Sequence, residues 1–395
     1  MSDVSFTKWV ACWGNATSIT NRTEAVWAKD LTLRYPVRVV FSGSKFRFHF
    51  SNLTGTEDVK ISKAFVALRG KTECGGNVQE QSSCKPVSVT LGQKSEITIP
   101  AGKEVCSDEI ALEVTAGETV DISMYFADFT QMNAGTLVEG PLSKGEYAYG
   151  DFAELQEFPK EKRRGTNWFY FLNTVDILTE EKNRALICYG DSITAQSWPD
   201  YLAIRAWEGG FRNVSIIRRA VCGTRILRQY DCLTYAAYGL KGETRFPIEM
   251  NTAGADTVII QHGINDIIHP VGVETNIFRP WSDMPTAEDL ERGVENFYIA
   301  HAKKLGYKVW SGTLLPIFGW RTYEPFREKV RGEFNEWLRT FRGFDGCVDF
   351  DKALRDPSKP EAFAPEFDSG DHLHPSEKAY RLMADTVPEE LLGES

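Results

Sequence analysis

Leu186-Ile187-Cys188-Tyr189-Gly190-Asp191-Ser192-Ile193-Thr194 is an apolar run that stops abruptly at Gly-Asp-Ser. A glycine at that point lets the backbone turn sharply, and the serine is left at the mouth of a sheet instead of inside it. A serine so placed is a nucleophile if a base reaches it. Far downstream stands Asp371-His372-Leu373-His374-Pro375. An aspartate three residues before a histidine can accept the imidazole N–H and hold the ring toward a serine. Either half alone is weak; the two in this order point to ester chemistry on a serine.

Outward from this stretch, apolar strands alternate with amphipathic helices. Strands are expected at Leu186–Tyr189, Val214–Ile217, Thr257–Gln261, Lys308–Ser311 and Cys347–Phe350. A helix is expected from Thr286 to about Leu305. Thr286 caps it, Asp289 stands at the N3 position and Gly306 stops it. Leu290, Val294, Phe297 and Ala300 form its expected buried stripe, and Phe326, Val330, Phe334, Trp337 and Phe341 mark a second helix with an apolar stripe. A last helix is expected at Ser376–Met383. Alternating β and α implies a mostly parallel sheet covered on both faces, with ligands bound beyond the carboxyl ends of the strands.

The N-terminal part reads differently. Phe46, Phe48 and Phe50 alternate with Arg47 and His49, as in a strand with one buried face. Val37–Phe41, Lys60–Ala67, Val87–Leu91, Ser95–Ile99, Glu109–Val114 and Thr119–Phe126 read as further short strands, separated by turn signals such as Pro100-Ala101-Gly102 and Ala116-Gly117. This pattern implies an antiparallel β-sandwich, jelly-roll-like. The charged run Lys160–Arg164 reads as solvated surface. The expected division is 1–178 for the β domain and 179–395 for the α/β domain, with 1–30 expected to pack on the latter.

Composition bounds the function. The chain has 395 residues, 42% of them hydrophobic, with 45 basic and 55 acidic residues and a net charge of -10. An acidic chain of this kind is a poor match for nucleic acid or anionic membranes. No apolar run reaches the length of a membrane span. Met1 to Trp9 contains no basic stretch leading into an apolar one, so a cytoplasmic protein is expected. Its eight cysteines are then expected to be reduced and mostly buried. No CxxC or HExxH spacing occurs, so neither a metal nor another cofactor is expected.

Ester hydrolysis by serine needs a nucleophile, a base, an orienting acid and an oxyanion hole. Candidates for each lie at expected strand ends or loops. Ser192 follows the first strand of the α/β part. Gly223, in Ala220-Val221-Cys222-Gly223-Thr224, follows the second, where a glycine lets the backbone N–H approach a substrate. Asn265, in Gly263-Ile264-Asn265-Asp266-Ile267, follows the third, and its amide can donate to the same oxyanion. Asp371 and His374 precede the last helix.

This set of blocks resembles the SGNH (GDSL-type) hydrolase family. The resemblance spans roughly residues 183 to 390 and keeps the family order of its blocks. It implies a flavodoxin-like α/β/α catalytic domain. Ser192 would attack the ester carbonyl, with His374 as base and Asp371 as its orienter. The Ser192 N–H, the Gly223 N–H and the Asn265 side chain would form the oxyanion hole. Arg47-Phe48-His49-Phe50-Ser51-Asn52-Leu53-Thr54-Gly55-Thr56-Glu57 is similar to a stretch in a subgroup with a β-sandwich before the hydrolase, which includes bacterial acetylxylan esterases. His372 departs from the pattern and is a rival histidine; Ala379 stands where glycine is common.

Other residues have plainer readings. Asp191 and Asp266 are expected to brace loops, His262 and His269 to pack or face solvent, and Cys222 to be a small buried residue. Trp281 and Trp320 either stack on a sugar or anchor layers. The expected activity is removal of O-acetyl groups from carbohydrate, acetylated xylan or xylo-oligosaccharide above all. A short-chain lipase, thioesterase or general acylhydrolase is the enzymatic alternative, and a non-catalytic carbohydrate-binding protein is the alternative of another class. The expected partner is the acetylated oligosaccharide alone; a homo-oligomer is left open.

Overall fold

The computed structural model of the protein describes residues 5–18, 26–70, 85–229, 238–271 and 280–393. The chain divides into two compact units, Met1–Ala185 with Gly210–Ile217, and Leu186–Gly209 with Arg218–Ser395. Among the described residues, no helix is long and apolar enough to cross a membrane.

The first unit is made of antiparallel strands in several sheets. In one, Lys8–Gly14, Leu172–Thr179, Gly43–Ser51 and Ile110–Val114 lie side by side in that order. In another, the order is Arg164–Thr166, Gly145–Tyr149, Leu31–Arg38, Thr119–Phe126, Lys63–Leu68 and Val87–Ser88. Phe46, Phe48 and Phe50 are fully buried on one face of their strand, and Arg47 and His49 are half-buried on the other.

The strand expected at Val37–Phe41 is instead Leu31–Arg38. Pro36 hides its first half, because proline lacks the N–H a ladder needs. The strand tolerates it because, of Leu31–Arg38, only Leu31–Arg34 pairs with Gly145–Tyr149, so Pro36 lies where that flank is unpaired. The Asn52–Glu57 stretch serves a turn of this unit. Asn52 Nδ2 donates to the carbonyls of Glu57 (2.8 Å) and Ile99 (3.2 Å). A Cβ on Gly55 would sit 1.8 Å from Asn52 Oδ1, which leaves only glycine there.

A five-stranded parallel sheet follows, with β1 (Arg184–Gly190), β2 (Val214–Ala220), β3 (Ala255–Gln261), β4 (Lys308–Gly312) and β5 (Gly346–Val348) in the order β2-β1-β3-β4-β5. Every residue of β1 is buried, which explains the apolar run that follows Arg184. The helices are α1 (Ser192–Ala195), α2 (Trp198–Glu208), α3 (Gly242–Glu249), α4 (Ile264–Ile268), α5 (Ala287–Gly293), α6 (Ala300–Lys304), α7 (Pro325–Thr340), α8 (Phe350–Leu354) and α9 (Glu377–Thr386). In this strand order the connections change direction between β1 and β3, and in sheets of this kind ligands bind beyond the carboxyl ends of the strands at that point.

Three local expectations are corrected. The helix starting at the Thr286–Asp289 capping box is not continuous, because Val294–Ile299 is π-helical between α5 and α6. A π turn holds one extra residue and rotates the helix beyond it. The buried positions are therefore Leu290, Val294, Tyr298 and Ala302, while Phe297 is half-buried and Ala300 exposed. On α7 the buried face is Arg327, Arg331, Phe334, Asn335 and Leu338; Phe326, Val330, Trp337 and Phe341 flank it half-buried. The arginines tolerate burial because distant groups accept from them: Arg327 bonds the Pro270 carbonyl (2.8 Å), and Arg331 the Leu314 carbonyl (2.9 Å) and Asp351 (2.7 Å). Phe350 does not end a strand but opens α8, where the Asp349 carboxylate caps Lys352 N–H.

Candidate active site

Ser192 is the first residue of α1, two positions past the end of β1. The Asp191 carboxylate caps this turn by accepting from Ile193 N–H at 3.1 Å. Gly190 is required by close approach: a Cβ there would sit 2.3 Å from Thr194 Oγ1 and 2.5 Å from the Gln261 carbonyl. So the strand ends tight against β3, and the serine is presented beyond it.

Ser192 Oγ lies 2.9 Å from His374 Nε2, and His374 Nδ1 lies 2.6 Å from Asp371 Oδ2. With Nδ1–H donated to the carboxylate, Nε2 holds a lone pair and accepts from the serine hydroxyl. Asp371 Oδ1 accepts the N–H of His374 (2.8 Å) and of Leu373 (2.9 Å) and the Ser369 hydroxyl (3.1 Å). Burial works against charge on Asp371. The His374 ring and these backbone N–H groups outweigh it and hold the carboxyl well below the usual range.

His372 belongs to a separate pair. Its Nδ1 lies 2.5 Å from Asp368 Oδ2, and its backbone takes the left-handed conformation, with φ 64°. Asp368 also accepts the His372 N–H, which helps hold that conformation. Asp368 was not singled out in the sequence; its only signal is the spacing of four to His372.

Gly223 follows β2 with φ 76°, and a Cβ on it would sit 2.3 Å from the Tyr238 ring. Both facts require glycine. Asn265, on α4 beyond β3, is 3% exposed, and its Nδ2 donates to the Thr224 carbonyl at 3.1 Å. That bond joins the loop after β2 to the loop after β3. A second link is Asp266, which accepts the N–H groups of Ile226 (2.7 Å) and Leu227 (3.0 Å). Burial pushes Asp266 up to about 6, against those two donors, and pushes Asp191 up to about 7. Both aspartates brace loops, as their positions implied.

His262 and His269 are buried and pack inside the unit. Cys222, expected to be buried, is partly exposed, since it sits in the turn made by Gly223. Trp281 is 62% exposed and leans on Phe326 at 5.2 Å between ring centres. Trp320 is half-buried, with the Arg321 guanidinium 4.6 Å from its ring centre. Among the described residues, neither tryptophan makes a hydrogen bond or ring contact with Ser192, Asp371 or His374.

Residues 188–382 match the model of the family described as GDSL-like lipase/acylhydrolase. No curated protein matches the chain. Solved structures similar to it include an acetylxylan esterase from Geobacillus stearothermophilus, at 15% identity over 54% of this chain and 95% of that one, with a TM-score of 0.37. A carbohydrate acetylesterase from Sinorhizobium meliloti is similar at 17% identity over 53% of this chain and 98% of that one, TM-score 0.36. A GDSL-like lipase from Bacteroides thetaiotaomicron is similar at 15% identity over 53% and 87%, TM-score 0.36.

Proposed function

Given that residues 188–382 form a GDSL-like lipase/acylhydrolase domain, we propose that the protein is a serine esterase that removes O-acetyl groups from carbohydrate, with acetylated xylo-oligosaccharide as its substrate. One observation carries the reading: Ser192 Oγ, His374 Nε2, His374 Nδ1 and Asp371 Oδ2 form one hydrogen-bonded line with steps of 2.9 and 2.6 Å. A serine connected in this way can lose its proton as it attacks.

In the proposed reaction Ser192 Oγ bonds to the acetyl carbonyl carbon, and its proton passes to His374 Nε2. Asp371, already ionised, stabilises the imidazolium and keeps the ring in place. The carbonyl oxygen becomes an oxyanion, which accepts from Ser192 N–H, Gly223 N–H and Asn265 Nδ2. Collapse breaks the bond to the sugar oxygen, which leaves with the proton from His374. Water activated by the same base then releases acetate and restores Ser192.

Two features support a small acyl group and a sugar alcohol. A Cβ on Gly223 would sit 2.3 Å from the Tyr238 ring, and this ring is proposed to bound the acyl slot on that side. The Trp281 ring is exposed and is proposed, with Trp320, to stack on the sugar. The test is acetate release from acetylated xylo-oligosaccharides with no metal added. Trp281→Ala and Trp320→Ala are expected to raise KM for the oligosaccharide and leave hydrolysis of a chromogenic acetate unchanged. No acetate release from any acetylated sugar, with rapid hydrolysis of simple esters, would replace this reading with a general acylhydrolase.

A further inference from the structure

A buried polar cluster lies beneath the ends of β1, β2 and β3, and the proposed chemistry does not use it directly. Arg245, on α3, is 2% exposed. Its Nη2 donates to the carbonyls of Gly190 (3.0 Å) and Arg219 (2.8 Å), its Nη1 to Thr224 Oγ1 (2.7 Å), and its Nε to Glu249 (2.9 Å). One guanidinium thus ties the last residue of β1 and the end of β2 to the loop that carries Gly223. Burying a charge so deeply is costly unless its donors are met, and here they meet main-chain and side-chain oxygens.

Thr224 is the hub of this cluster and is fully buried. Its hydroxyl donates to the Val221 carbonyl (2.9 Å), accepts from Arg245, and lies 3.0 Å from His262 Nε2. Burial and the neighbouring Arg245 push the His262 imidazole well below its ordinary value, so the ring is neutral. Its Nδ1 lies 2.8 Å from the Tyr298 hydroxyl. With Tyr298 donating to Nδ1, Nε2–H donates to Thr224. The threonine's one proton and both lone pairs are then engaged. The π turn Val294–Ile299 is what turns Tyr298 inward to make this bond.

The Thr224 carbonyl accepts from Asn265 Nδ2. An asparagine amide carries two N–H groups on one plane, so fixing one aims the other. We propose that Thr224, held by Arg245 and His262, is a positioning residue that sets the Asn265 carboxamide relative to Ser192. The proposal rests on Asn265 acting as an oxyanion donor. Such donors work only within a narrow distance of the developing charge, and displacement of about 1 Å costs as much as ~10²-fold in rate.

The test compares Thr224→Val, Thr224→Ser, Asn265→Ala and the double variant Thr224→Val/Asn265→Ala in the full chain, with 4-nitrophenyl acetate as substrate and thermal melting as the fold control. Thr224→Val keeps the shape but loses the hydroxyl. It is expected to lower kcat by about 10- to 100-fold with KM unchanged, while Thr224→Ser stays within about threefold of the parent. The double variant should be no more than about threefold slower than Asn265→Ala, since residues acting as one unit do not lose rate multiplicatively. Should Thr224→Val fail to fold, Tyr298→Phe removes only the outer bond. Its smaller kcat loss should likewise vanish in the Asn265→Ala background. Normal kcat in Thr224→Val, or losses that multiply in the double variant, would overturn the proposal. If Asn265→Ala itself behaves as wild type, the oxyanion reading fails first; if it is slow while Thr224→Val is normal, only the positioning role fails.

Discussion

Asp371→Asn changes one atom and reverses the hydrogen-bond logic of the site. In the protein, Oδ1 accepts two backbone N–H groups and Oδ2 accepts His374 Nδ1–H. An asparagine has one oxygen to offer. Two N–H donors converge on the Oδ1 position, so the oxygen is held there and the NH2 turns toward His374. The ring must then accept at Nδ1 and carry its proton on Nε2, where it faces the Ser192 hydroxyl as a donor. Recovering the productive tautomer requires flipping the amide and setting its NH2 against two N–H groups. The two N–H groups are part-buried and exposed, so leaving them unmet costs toward the low end, ~2 kcal/mol together, and losing the charged acceptor of the imidazolium adds about 2 kcal/mol. At 1.4 kcal/mol per tenfold, a kcat loss of about 10³-fold is expected, with KM little changed. The assay is steady-state hydrolysis of 4-nitrophenyl acetate beside Ser192→Ala and His374→Ala, both of which should be slower still. Activity within about tenfold of wild type would refute the reasoning, because the tautomer would then not matter.

The same carboxylate predicts a pH signature in stability. Its pKa in the folded protein lies below the ordinary 3.8. Its contribution is therefore fully present above that value and is lost as pH falls toward the folded value. The effect is small, because the side chain is 42% exposed and screened by solvent. The melting temperatures of wild type and Asp371→Asn should converge as the solution is acidified below about pH 4. A gap that widens on acidification would mean that Asp371 is not held ionised.

Three further outcomes are expected. His374→Ala should be nearly inactive and His372→Ala should keep measurable activity, because only His374 bonds Ser192 and His372 is paired with Asp368; the reverse result in chromogenic acetate assays would exchange their roles. Asn265→Ala should lower kcat by about 10²–10³-fold with KM nearly constant, as for loss of one oxyanion donor; a change confined to KM would make Asn265 a ground-state binder. Acetyl esters should be cleaved faster than butyryl or octanoyl esters in a chain-length series, since a narrow slot rejects longer chains by clash; faster octanoyl cleavage would favour a lipase.

The parts of the site that sequence made legible are those where short-range chemistry decides. Gly190-Asp191-Ser192 ends an apolar run, Gly223 and Asn265 stand just past expected strands, and Asp371 and His374 are linked by their spacing alone. The strands of the parallel sheet could be located because a strand buried on both faces is largely apolar, but not all their ends: β2 runs on to Ala220 and β5 stops at Val348, short of Phe350. The illegible parts depend on residues far apart in the chain. The π turn at Val294–Ile299 breaks the 3.6-residue period that a buried stripe through Phe297 and Ala300 requires. Arg327 and Arg331 face inward on α7 because carbonyls of Pro270 and Leu314 receive them, which no local pattern announces. Nothing local marks Thr224, and only its convergence with Arg245, His262 and Asn265 sets it apart. Pro36 masked the start of a strand because its tolerance depends on how far a neighbouring strand extends.

The central claim is that Ser192 carries the acyl group during turnover. The direct measurement is rapid acid quench of the full chain with 4-nitrophenyl acetate, followed by peptide mass spectrometry, with Ser192→Ala run in parallel. The account predicts one acetyl group on the peptide containing Ser192 and none on the same peptide of the variant. An acetyl group on another residue with Ser192 unmodified, or turnover by Ser192→Ala at the wild-type rate, would contradict it.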